Sequence, residues 1–376
     1  MKVPILILGG GLAGLTAAIH LSKLGHAVTV IEKNTYPRHK VCGEYISNEV
    51  LDYFKWLDLQ DIVDQSQRIN TFRLEMDKFN TSEVILPLGG FGISRFLLDN
   101  LLYRKAKAQN CQFIHETVSA IRFHDGSFKV DLNSGLQIEA QIAIGSFGKR
   151  SVIDVQLERK FIQKKSHWMA VKAHFQGNFA NNKVGLFPFE GGYCGVSKVE
   201  DNQLNICYIV QTEVFKKHKT IPEFTASVLY KNNGLKDILR NAEMLFESPL
   251  TISQISFDDK KAVENHVLMI GDAAGLIHPL CGNGMAMAIH SAKIASELIH
   301  TNLNAAVFSR EKLEMDYERV WKKTFKSRLR MGRYLSALLL NPALTKVCMK
   351  TITRFPTLFK YIIQKTHGKL IPIPNQ

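Results

Sequence analysis

The chain has 376 residues, 45% of them hydrophobic and 22% charged, a composition typical of a globular protein large enough for two joined domains. The sequence contains no run of about 18 apolar residues and no signal-peptide cleavage site, so neither a membrane span nor a secretory leader is predicted. The six cysteines form no CxxC pair and have no metal-ligand spacing with histidine, which predicts a reduced, cytoplasmic compartment and no metal site.

Positive charge is concentrated near the C-terminus. The net charge is +14, yet the first 318 residues carry 35 basic and 34 acidic side chains. Residues 319–376 contain 13 Lys and Arg and neither Asp nor Glu. The basic character therefore belongs to the C-terminal segment and not to the fold as a whole.

A strand, a helix and a second strand are predicted at the start of the chain. Residues 3–8 form a short apolar run bounded by glycines, which is typical of a buried strand. Residues 12–24 predict a helix with Gly25 as its C-cap, and residues 27–31 predict the next strand. This βαβ order predicts a parallel sheet with a right-handed crossover.

The rest of the chain is predicted to extend this sheet and to form a second one. Residues 160–215 alternate apolar and polar in short runs, which indicates an antiparallel sheet. Further strands are predicted at 72–76, 84–88, 112–115, 120–123, 129–132, 136–144 and 267–270. Helices are predicted near 47–66, 94–109 and 283–300 and at the end of the chain.

The first glycine motif lies between the first strand and the first helix. Residues 9–14 read GGGLAG and fit GxGxxG. Gly9 permits the tight turn, Gly11 lets a pyrophosphate approach, and Gly14 lets helix and strand pack closely. Glu32 ends the second strand, where it can accept hydrogen bonds from a ribose. We therefore expect a dinucleotide to be bound by Gly9, Gly11, Leu12, Ala13, Gly14, Glu32 and Lys33.

A second glycine motif distinguishes FAD from NAD. Residues 271–275 read GDAAG after the strand at 267–270, and residues 281–288 read CGNGMAMA before a helix. Asp272 is delivered to the carboxyl edge of the sheet, where a carboxylate can bind ribityl hydroxyls. The helix N-terminus, pointed at the flavin, would stabilise negative charge on its reduced form. The expected FAD ligands here are Gly271, Asp272, Pro279, Gly282, Asn283, Gly284 and Met285.

Three more segments carry a family resemblance. Residues 37–43 (PRHKVCG) fit PxxxxCG, residues 94–102 (SRFLLDNLL) contain R..LD..L, and residues 145–151 (GSFGKRS) fit GADGxxS except at Phe147. With the glycine motifs, residues 3–300 resemble the geranylgeranyl reductase and para-hydroxybenzoate hydroxylase superfamily of FAD-dependent oxidoreductases. The resemblance implies that Cys42, Gly43, Arg95 and Val118 also lie at the FAD.

The resemblance also implies the architecture. The expected fold class is α/β, with a doubly wound, glutathione-reductase-like FAD-binding domain, a second antiparallel-sheet substrate domain and C-terminal helices. We assign residues 1–70, 92–158 and 260–305 to the FAD-binding domain and residues 71–91 and 159–259 to the substrate domain. Residues 306–376 form the basic C-terminal helical region.

Departures from the family pattern bear on the electron donor and the substrate. Phe147 replaces the family's usual Asp, which helps to position the nicotinamide cofactor, and this replacement counts against direct use of NADPH. The expected electron donor is NAD(P)H or a ferredoxin-like protein. Residues 191–193 keep the GGY of the reductase substrate motif, but the Trp and the FP that follow it are missing. Trp168 stands without the rest of the WxWxIP motif of flavin halogenases, so halogenation is not expected.

Four side chains are candidates for chemistry beside the flavin. The resemblance places Cys42 and Cys281 near the isoalloxazine, where they either pair, protonate a substrate carbanion or serve only as packing residues. His278 is a candidate acid or base because the pKa of histidine is ordinarily near neutrality, and the alternative is a hydrogen-bonded loop histidine. Tyr193 is expected to line the substrate site.

The basic C-terminal segment is open to three interpretations. Apolar residues recur there at helical spacing beside a basic stripe, namely Leu344, Val347, Cys348, Ile352 and Phe355 beside Lys346, Lys350 and Arg354. The segment is a packed helical cap, a surface for anionic lipid at the inner membrane face, or a dock for an anionic substrate or acyl carrier protein. Nucleic acid is not an expected partner, because no nucleic-acid-binding motif accompanies the charge.

The expected reaction is reduction of C=C bonds in an apolar, isoprenoid- or polyketide-like small molecule, as the resemblance implies. Hydroxylation through a flavin hydroperoxide uses the same scaffold and is the alternative. The third interpretation is a non-catalytic flavin-fold protein that binds prenyl chains or partner proteins. Saturated product, oxygen in the product, or protein without yellow colour distinguishes the three.

Overall fold

The computed structural model describes residues 1–77 and 80–341 and, further along the chain, residues 344, 345, 347, 348, 351, 354, 355, 357, 360, 361, 363, 364 and 368–374. The predictions made for Lys346, Lys350 and Ile352 lie outside these residues. Within the described chain, no helix has both the length and the apolarity needed to cross a membrane.

Strands dominate the middle of the chain, and long helices follow them. The helices are α1 (Leu12–Lys23), α2 (Leu51–Trp56), α3 (Gln60–Asp64), α4 (Arg95–Ala108), α5 (Val152–Gln156), α6 (Thr212–Phe215), α7 (Ile221–Ser227), α8 (Asn233–Arg240), α9 (Gly284–Leu303) and α10 (Arg310–Leu339). The strands are β1 (Lys2–Leu8), β2 (Val28–Ile31), β3 (Tyr45–Ser47), β4 (Gln67–Asp77), β5 (Asn80–Gly92), β6 (Gln112–Ile114), β7 (Val118–His124), β8 (Ser127–Leu132), β9 (Gln137–Gly145), β10 (Trp168–Gln176), β11 (Lys183–Phe189), β12 (Gly192–Lys198), β13 (Leu204–Gln211), β14 (Glu243–Met244), β15 (Leu250–Ile255), β16 (Val263–Glu264) and β17 (Val267–Met269).

The first sheet is parallel at its centre. Its strands lie in the order β16-β17-β9-β1-β2-β6, and β7 and β8 form an antiparallel meander that joins β9. β1 pairs in parallel with β2 and β9, and β17 pairs in parallel with β9. Ile5, Leu6 and Ile7 are fully buried, as expected for a central parallel strand. The carboxyl ends of β1, β9 and β17 consequently meet at one edge of this sheet.

The second sheet is mainly antiparallel and has two apolar faces. Its order is β14-β10-β13-β12-β11-β4-β5-β3, with β15 beside β10, and β11 runs parallel to β4. Successive side chains of a strand point to opposite faces. On the outer face, Val171, Phe187 and Val196 pack with Phe224 of α7 and Leu235 of α8.

The inner face of the second sheet carries a separate apolar cluster, which we call the inner apolar cluster. Its buried members are Ile69, Leu74, Val84, Leu86, Trp168, Ala170, Leu186, Tyr193, Ile209, Ile255, Phe257, Leu276, Leu339 and Ile363. Leu276 belongs to the second glycine motif region, and Leu339 and Ile363 come from the C-terminal segment. Two distant parts of the chain therefore close over this face.

The structure confirms the predicted fold class and corrects several predicted elements. α1 ends at Lys23 with Leu24 as its C-cap, so Gly25, the predicted cap, lies one residue beyond the observed cap, at φ +84°. The predicted helical stretch 47–66 contains only α2 and α3 as α-helices, and Tyr45–Ser47 just before it pairs with β5. The strands predicted at 72–76 and 84–88 lie within the longer hairpin of β4 and β5. Backbone pairing extends both strands beyond the residues in which apolar and polar side chains alternate, so the alternation alone predicts strands that are too short. The domain boundaries assigned from the sequence stay predictions.

Candidate active site

The two glycine motifs meet at the carboxyl edge of the first sheet. Leu12 and Ala13 form the first turn of α1, directly after the first glycine turn, and both are buried. A Cβ atom added to Gly271 would lie 2.9 Å from the Cβ of Ala13. The second motif is therefore packed against the helix that the first motif opens.

The first glycine turn is tight on one side and open on the other. Gly9 has φ +107°, and an added Cβ would lie 2.7 Å from the carbonyl oxygen of Ser146. An added Cβ on Gly14 would lie 2.1 Å from the carbonyl oxygen of Gly9. At Gly11, by contrast, the nearest protein atoms would be 3.9 Å away. Gly9 and Gly14 are thus required by packing, whereas Gly11 leaves space for a ligand.

Both helices that begin at this edge lack a side-chain cap. Neither Gly11 before α1 nor Asn283 before α9 caps its helix through a side-chain hydrogen bond within the described chain. The other described helices of eight residues or more, α4, α8 and α10, are capped by Ser94, Asn232 and Ser309, which accept hydrogen bonds from their first turns. The two uncapped helix N-termini supply amide donors and positive dipole ends, a suitable environment for phosphate and for an anionic flavin.

Glu32 secures the first glycine turn. One carboxylate oxygen accepts the backbone N–H of Gly10 at 2.9 Å, and the other accepts the backbone N–H of Asn34 and a guanidinium N–H of Arg38, both at 3.0 Å. Burial by itself would raise the pKa of Glu32, but Arg38 and Asn34 outweigh burial and hold that pKa below its usual value. The carboxylate is therefore ionised and fixed in place.

Arg95 forms a bidentate ion pair within the protein. Its guanidinium donates to both carboxylate oxygens of Asp99 at 2.8 Å, and the ammonium of Lys40 donates to Asp99 at 2.7 Å. Burial disfavours the Arg95 cation, yet Asp99, followed by Cys42 and Asp272, raises its pKa above the usual value. Arg95 therefore lies within electrostatic reach of both the cysteine loop and the second glycine motif.

Asp272 presents a carboxylate that accepts no hydrogen bond from the described residues, although it is half-buried. Its backbone is firmly held, because Lys260 donates to the Asp272 carbonyl at 2.8 Å. Arg159, paired with Asp154 at 2.7 Å, donates to the neighbouring Ala273 carbonyl at 2.9 Å. A rigid turn thus carries an acceptor suited to ligand hydroxyls.

Cys42 and Cys281 are both free thiols, and they occupy different environments. Cys42 is half-buried, its Sγ is 3.4 Å from the Sδ of Met285 in α9, and it accepts the backbone N–H of Glu44 at 3.4 Å. Cys281 is buried, which raises its pKa to about 12. Of the two, only Cys42 is partly accessible at the start of α9.

His278 lies in an aromatic environment at the border of the inner apolar cluster. Its ring centroid is 4.6 Å from that of Phe257, 5.7 Å from Trp168 and 6.0 Å from Tyr193. Burial lowers the pKa of His278 to about 3. The imidazole is therefore neutral at physiological pH, because the buried ring has no contact with water that would stabilise the charged form.

The remaining predicted cofactor residues lie in several different segments. Lys33 is exposed directly after Glu32, and Val118 opens β7, shortly after β6, the neighbour of β2. Gly43 has no atom within 4 Å of an added Cβ. Gly282 has φ +62° and faces the ring of Tyr45, and Pro279 is exposed before α9.

Sequence reasoning missed a buried ionic cluster beside the cysteine loop. Glu44 accepts from the ammonium of Lys172 at 2.5 Å, from His174 at 2.7 Å and from the backbone N–H of Arg95 at 2.7 Å. All three side chains, Glu44, Lys172 and His174, are buried. Lys172 and His174 alternate with apolar residues in β10, so the sequence pattern alone would place them on a solvated face.

Comparison with known proteins agrees with this geometry. The family model described as FAD binding domain matches residues 2–307. Conditioned medium factor receptor 1 of Dictyostelium discoideum is 23% identical over 88% of this chain and 70% of its own length. Digeranylgeranylglycerophospholipid reductase of Methanosarcina acetivorans is 25% identical, covering 85% of this chain and 80% of the relative. Menaquinone reductase of Mycobacterium tuberculosis is 22% identical, covering 78% and 76%.

Solved structures share the fold. A flavoprotein/dehydrogenase from Cytophaga hutchinsonii aligns with a TM-score of 0.74 and 19% identity, covering 90% of this chain and 88% of the other. The flavin-dependent brominase Bmp2 aligns with a TM-score of 0.80 and 15% identity, covering 99% and 95%. At these identities the likeness shows the fold alone.

The open side of the first glycine turn, the two uncapped helices and the Asp272 carboxylate all fit FAD. The family match spans both glycine motifs and the strands between them. The chain therefore belongs to the FAD binding domain family and is an FAD-dependent oxidoreductase.

Proposed function

We propose that this protein reduces C=C bonds in an apolar, isoprenoid- or polyketide-like molecule. The observation that carries the proposal is the inner apolar cluster, which adjoins the second glycine motif through Leu276 and His278. Such a cluster suits a hydrocarbon chain and excludes water from the reacting bond. Two relatives are named digeranylgeranylglycerophospholipid reductase and menaquinone reductase, and these names support a reductase on a lipid-like substrate.

FAD, when bound, supplies hydride transfer. The described residues bind and orient the cofactor and supply the proton. The uncapped N-termini of α1 and α9 stabilise negative charge, and Asp272 orients hydroxyl groups of the cofactor. Cys42, with its thiol beside Met285 at the start of α9, provides the proton that completes saturation of the double bond.

The electron donor is NAD(P)H or a ferredoxin-like protein. Phe147 lies beside the first glycine turn, where an added Cβ on Gly9 would be 3.0 Å from its Cα. An aromatic ring there offers no charge to a nicotinamide cofactor. This observation favours a protein donor in our proposal.

Anaerobic spectroscopy and product analysis test the proposed function. We expect yellow protein whose flavin is bleached by dithionite and reoxidised by a prenylated naphthoquinone, with two hydrogen atoms added per double bond. A hydroxylase would instead insert oxygen, and only in air. Colourless protein after incubation with excess FAD, or reduced flavin that leaves the double bonds intact, would contradict the proposal. NADH, NADPH and reduced ferredoxin, titrated separately, identify the donor.

We also propose that the C-terminal segment binds an anionic membrane surface. Leu344, Val347 and Phe355, which recur at helical spacing, are each more than half exposed. Arg354 and Lys360 are exposed beside them. Exposed apolar side chains among basic ones are typical of a helix that lies on anionic lipid. Because Leu339 and Ile363 of this segment belong to the inner apolar cluster, the surface adjoins the proposed substrate site.

A further inference from the structure

Two hydrogen-bond donors are buried without an acceptor at the border of the inner apolar cluster. His278 is fully buried, and the backbone N–H of Leu280 donates to its Nδ1 at 3.3 Å. A neutral imidazole that accepts at Nδ1 carries its proton at Nε2. Nε2 is buried and has no hydrogen-bond partner within the described chain. It is therefore an N–H donor without an acceptor.

Tyr193 is the second such donor. Its side chain is buried, and its hydroxyl has no hydrogen-bond partner among the described residues. Burial first, and then the neighbouring thiols of Cys281 and Cys207, raises the pKa of Tyr193 well above its usual value, so the hydroxyl keeps its proton. The Tyr193 ring centroid lies 6.0 Å from that of His278. The two side chains that carry these donors thus lie close together.

The described side chains that pack around these donors are mainly apolar. Phe257, Leu276 and Ile255 are apolar, and the indole N–H of Trp168 is already satisfied by the hydroxyl of Ser336 at 3.2 Å. An unsatisfied buried polar group is destabilising, so two in one place indicate an acceptor that arrives with a ligand. Trp168 thus has a hydrogen-bond acceptor within the protein, in contrast to His278 and Tyr193.

The position of the pair connects it to the reaction site. His278 lies between the Asp272 turn and α9, and Cys281, three residues further, acts electrostatically on Tyr193. The two side chains consequently lie at the border of the inner apolar cluster, beside the second glycine motif.

We propose that His278 and Tyr193 together bind the carbonyl oxygen of an apolar substrate in which that carbonyl is conjugated to the reacting double bond, as in a quinone or an enone. This inference rests on the proposed function and narrows its substrate class. FAD, when bound and reduced, would supply the hydride for the β-carbon. The π electrons would move to the carbonyl oxygen, and the carbonyl would re-form as the α-carbon takes the proton that the proposed function assigns to the Cys42 thiol. The two donors stabilise the oxygen while it carries the extra charge.

Binding of matched ligands to the oxidised holoprotein tests the pair without requiring turnover. The probes are a prenylated naphthoquinone and the corresponding prenylated naphthalene, which lacks both carbonyl oxygens, and affinity is measured by calorimetry. We expect the quinone to bind the wild-type protein at least about tenfold more tightly than the hydrocarbon. Tyr193→Phe should weaken quinone binding about tenfold and leave hydrocarbon binding unchanged. His278→Phe should act in the same direction.

Tyr208→Phe is the matched control. The Tyr208 hydroxyl is also buried and without a partner among the described residues, but it packs in the outer cluster of the second sheet. This variant should bind both ligands as the wild type does. Equal affinity of the wild type for the two ligands, or wild-type quinone binding by Tyr193→Phe, overturns the inference. If quinone binding depends on Tyr193 but the double bond is not saturated, the binding inference is supported and the proposed function is contradicted.

Discussion

Gly11 and Gly14 belong to one motif but have different physical roles. An added Cβ on Gly14 would lie 2.1 Å from the Gly9 carbonyl oxygen, whereas one on Gly11 would have no protein atom within 3.4 Å. We therefore expect Gly14→Ala to lower the free energy of unfolding of the apoprotein by about 2 kcal/mol through overpacking. Gly11→Ala should leave the stability of the apoprotein unchanged and weaken FAD binding at least about tenfold, because the methyl group occupies the space left for pyrophosphate.

Denaturant unfolding of the apoproteins and flavin fluorescence titration measure the two effects separately. The two variants act as controls for each other, because both add one methyl group to the same turn. Normal FAD affinity in Gly11→Ala would show that the pyrophosphate does not approach this glycine.

Individual residues also show where sequence reasoning ends. Glu32 was identified from its distance to the glycine motif, and the structure places it against Gly10. Burial among rings from distant segments lowers the pKa of His278 below the near-neutral value expected from the sequence. Burial of a polar side chain depends on which remote segments cover it, and these segments cannot be identified from the local sequence.

At the scale of elements, the C-terminal segment is tied to the FAD-binding part of the chain through Glu49. Arg328 of α10 lies 3.7 Å from the Glu49 carboxylate, and the backbone N–H of Ile371 donates to the Glu49 carbonyl at 2.8 Å. An added Cβ on Gly368 would lie 1.5 Å from the same carboxylate. Burial, opposed by Arg328, raises the pKa of Glu49 to about 7.

This raised pKa predicts that the protein loses stability as pH increases. The folded state holds the Glu49 proton more tightly than the unfolded state, so the contribution is complete below the unfolded pKa and is lost as pH rises through about 7. Between about pH 5.5 and pH 8 the loss should be about 2 kcal/mol. Urea unfolding at several pH values measures it.

Glu49→Gln is the variant that isolates this contribution. Glutamine keeps the shape of the side chain and cannot ionise. The variant should therefore not show the loss of about 2 kcal/mol in the free energy of unfolding that the wild type shows over this pH interval. Parallel pH profiles for Glu49→Gln and the wild type would show that another group is responsible.

At the scale of the whole molecule, charge and apolar exposure coincide in one segment. If the C-terminal segment binds membranes, the protein should sediment with vesicles that contain anionic lipid and remain in solution with neutral vesicles. Val347→Ser together with Phe355→Ser should reduce binding to the anionic vesicles about tenfold. High salt should also weaken binding, because it screens the basic side chains.

Val307→Ser is a matched control for the vesicle experiment. Val307 is 78% exposed but lies between α9 and α10, outside the basic segment. Its replacement should not change vesicle binding. Equal binding to neutral and anionic vesicles, or full binding by the double variant, would refute a membrane role for this surface.

The sequence by itself determined the local features of this protein. A strand, a glycine turn and a helix are specified by neighbouring residues, so both glycine motifs, α1, α4 and α9 were predicted close to their observed bounds. Backbone hydrogen bonding and steric demands act over a few residues, and these are readable from one segment at a time.

Only the tertiary structure decided what surrounds each side chain. The Glu44, Lys172 and His174 cluster joins segments more than 120 residues apart. The unsatisfied donors of Tyr193 and His278 likewise depend on strands and loops that are remote in sequence. Desolvation and hydrogen-bond satisfaction are set by the whole set of neighbours, and those neighbours are assembled only when the two sheets and the C-terminal segment pack together.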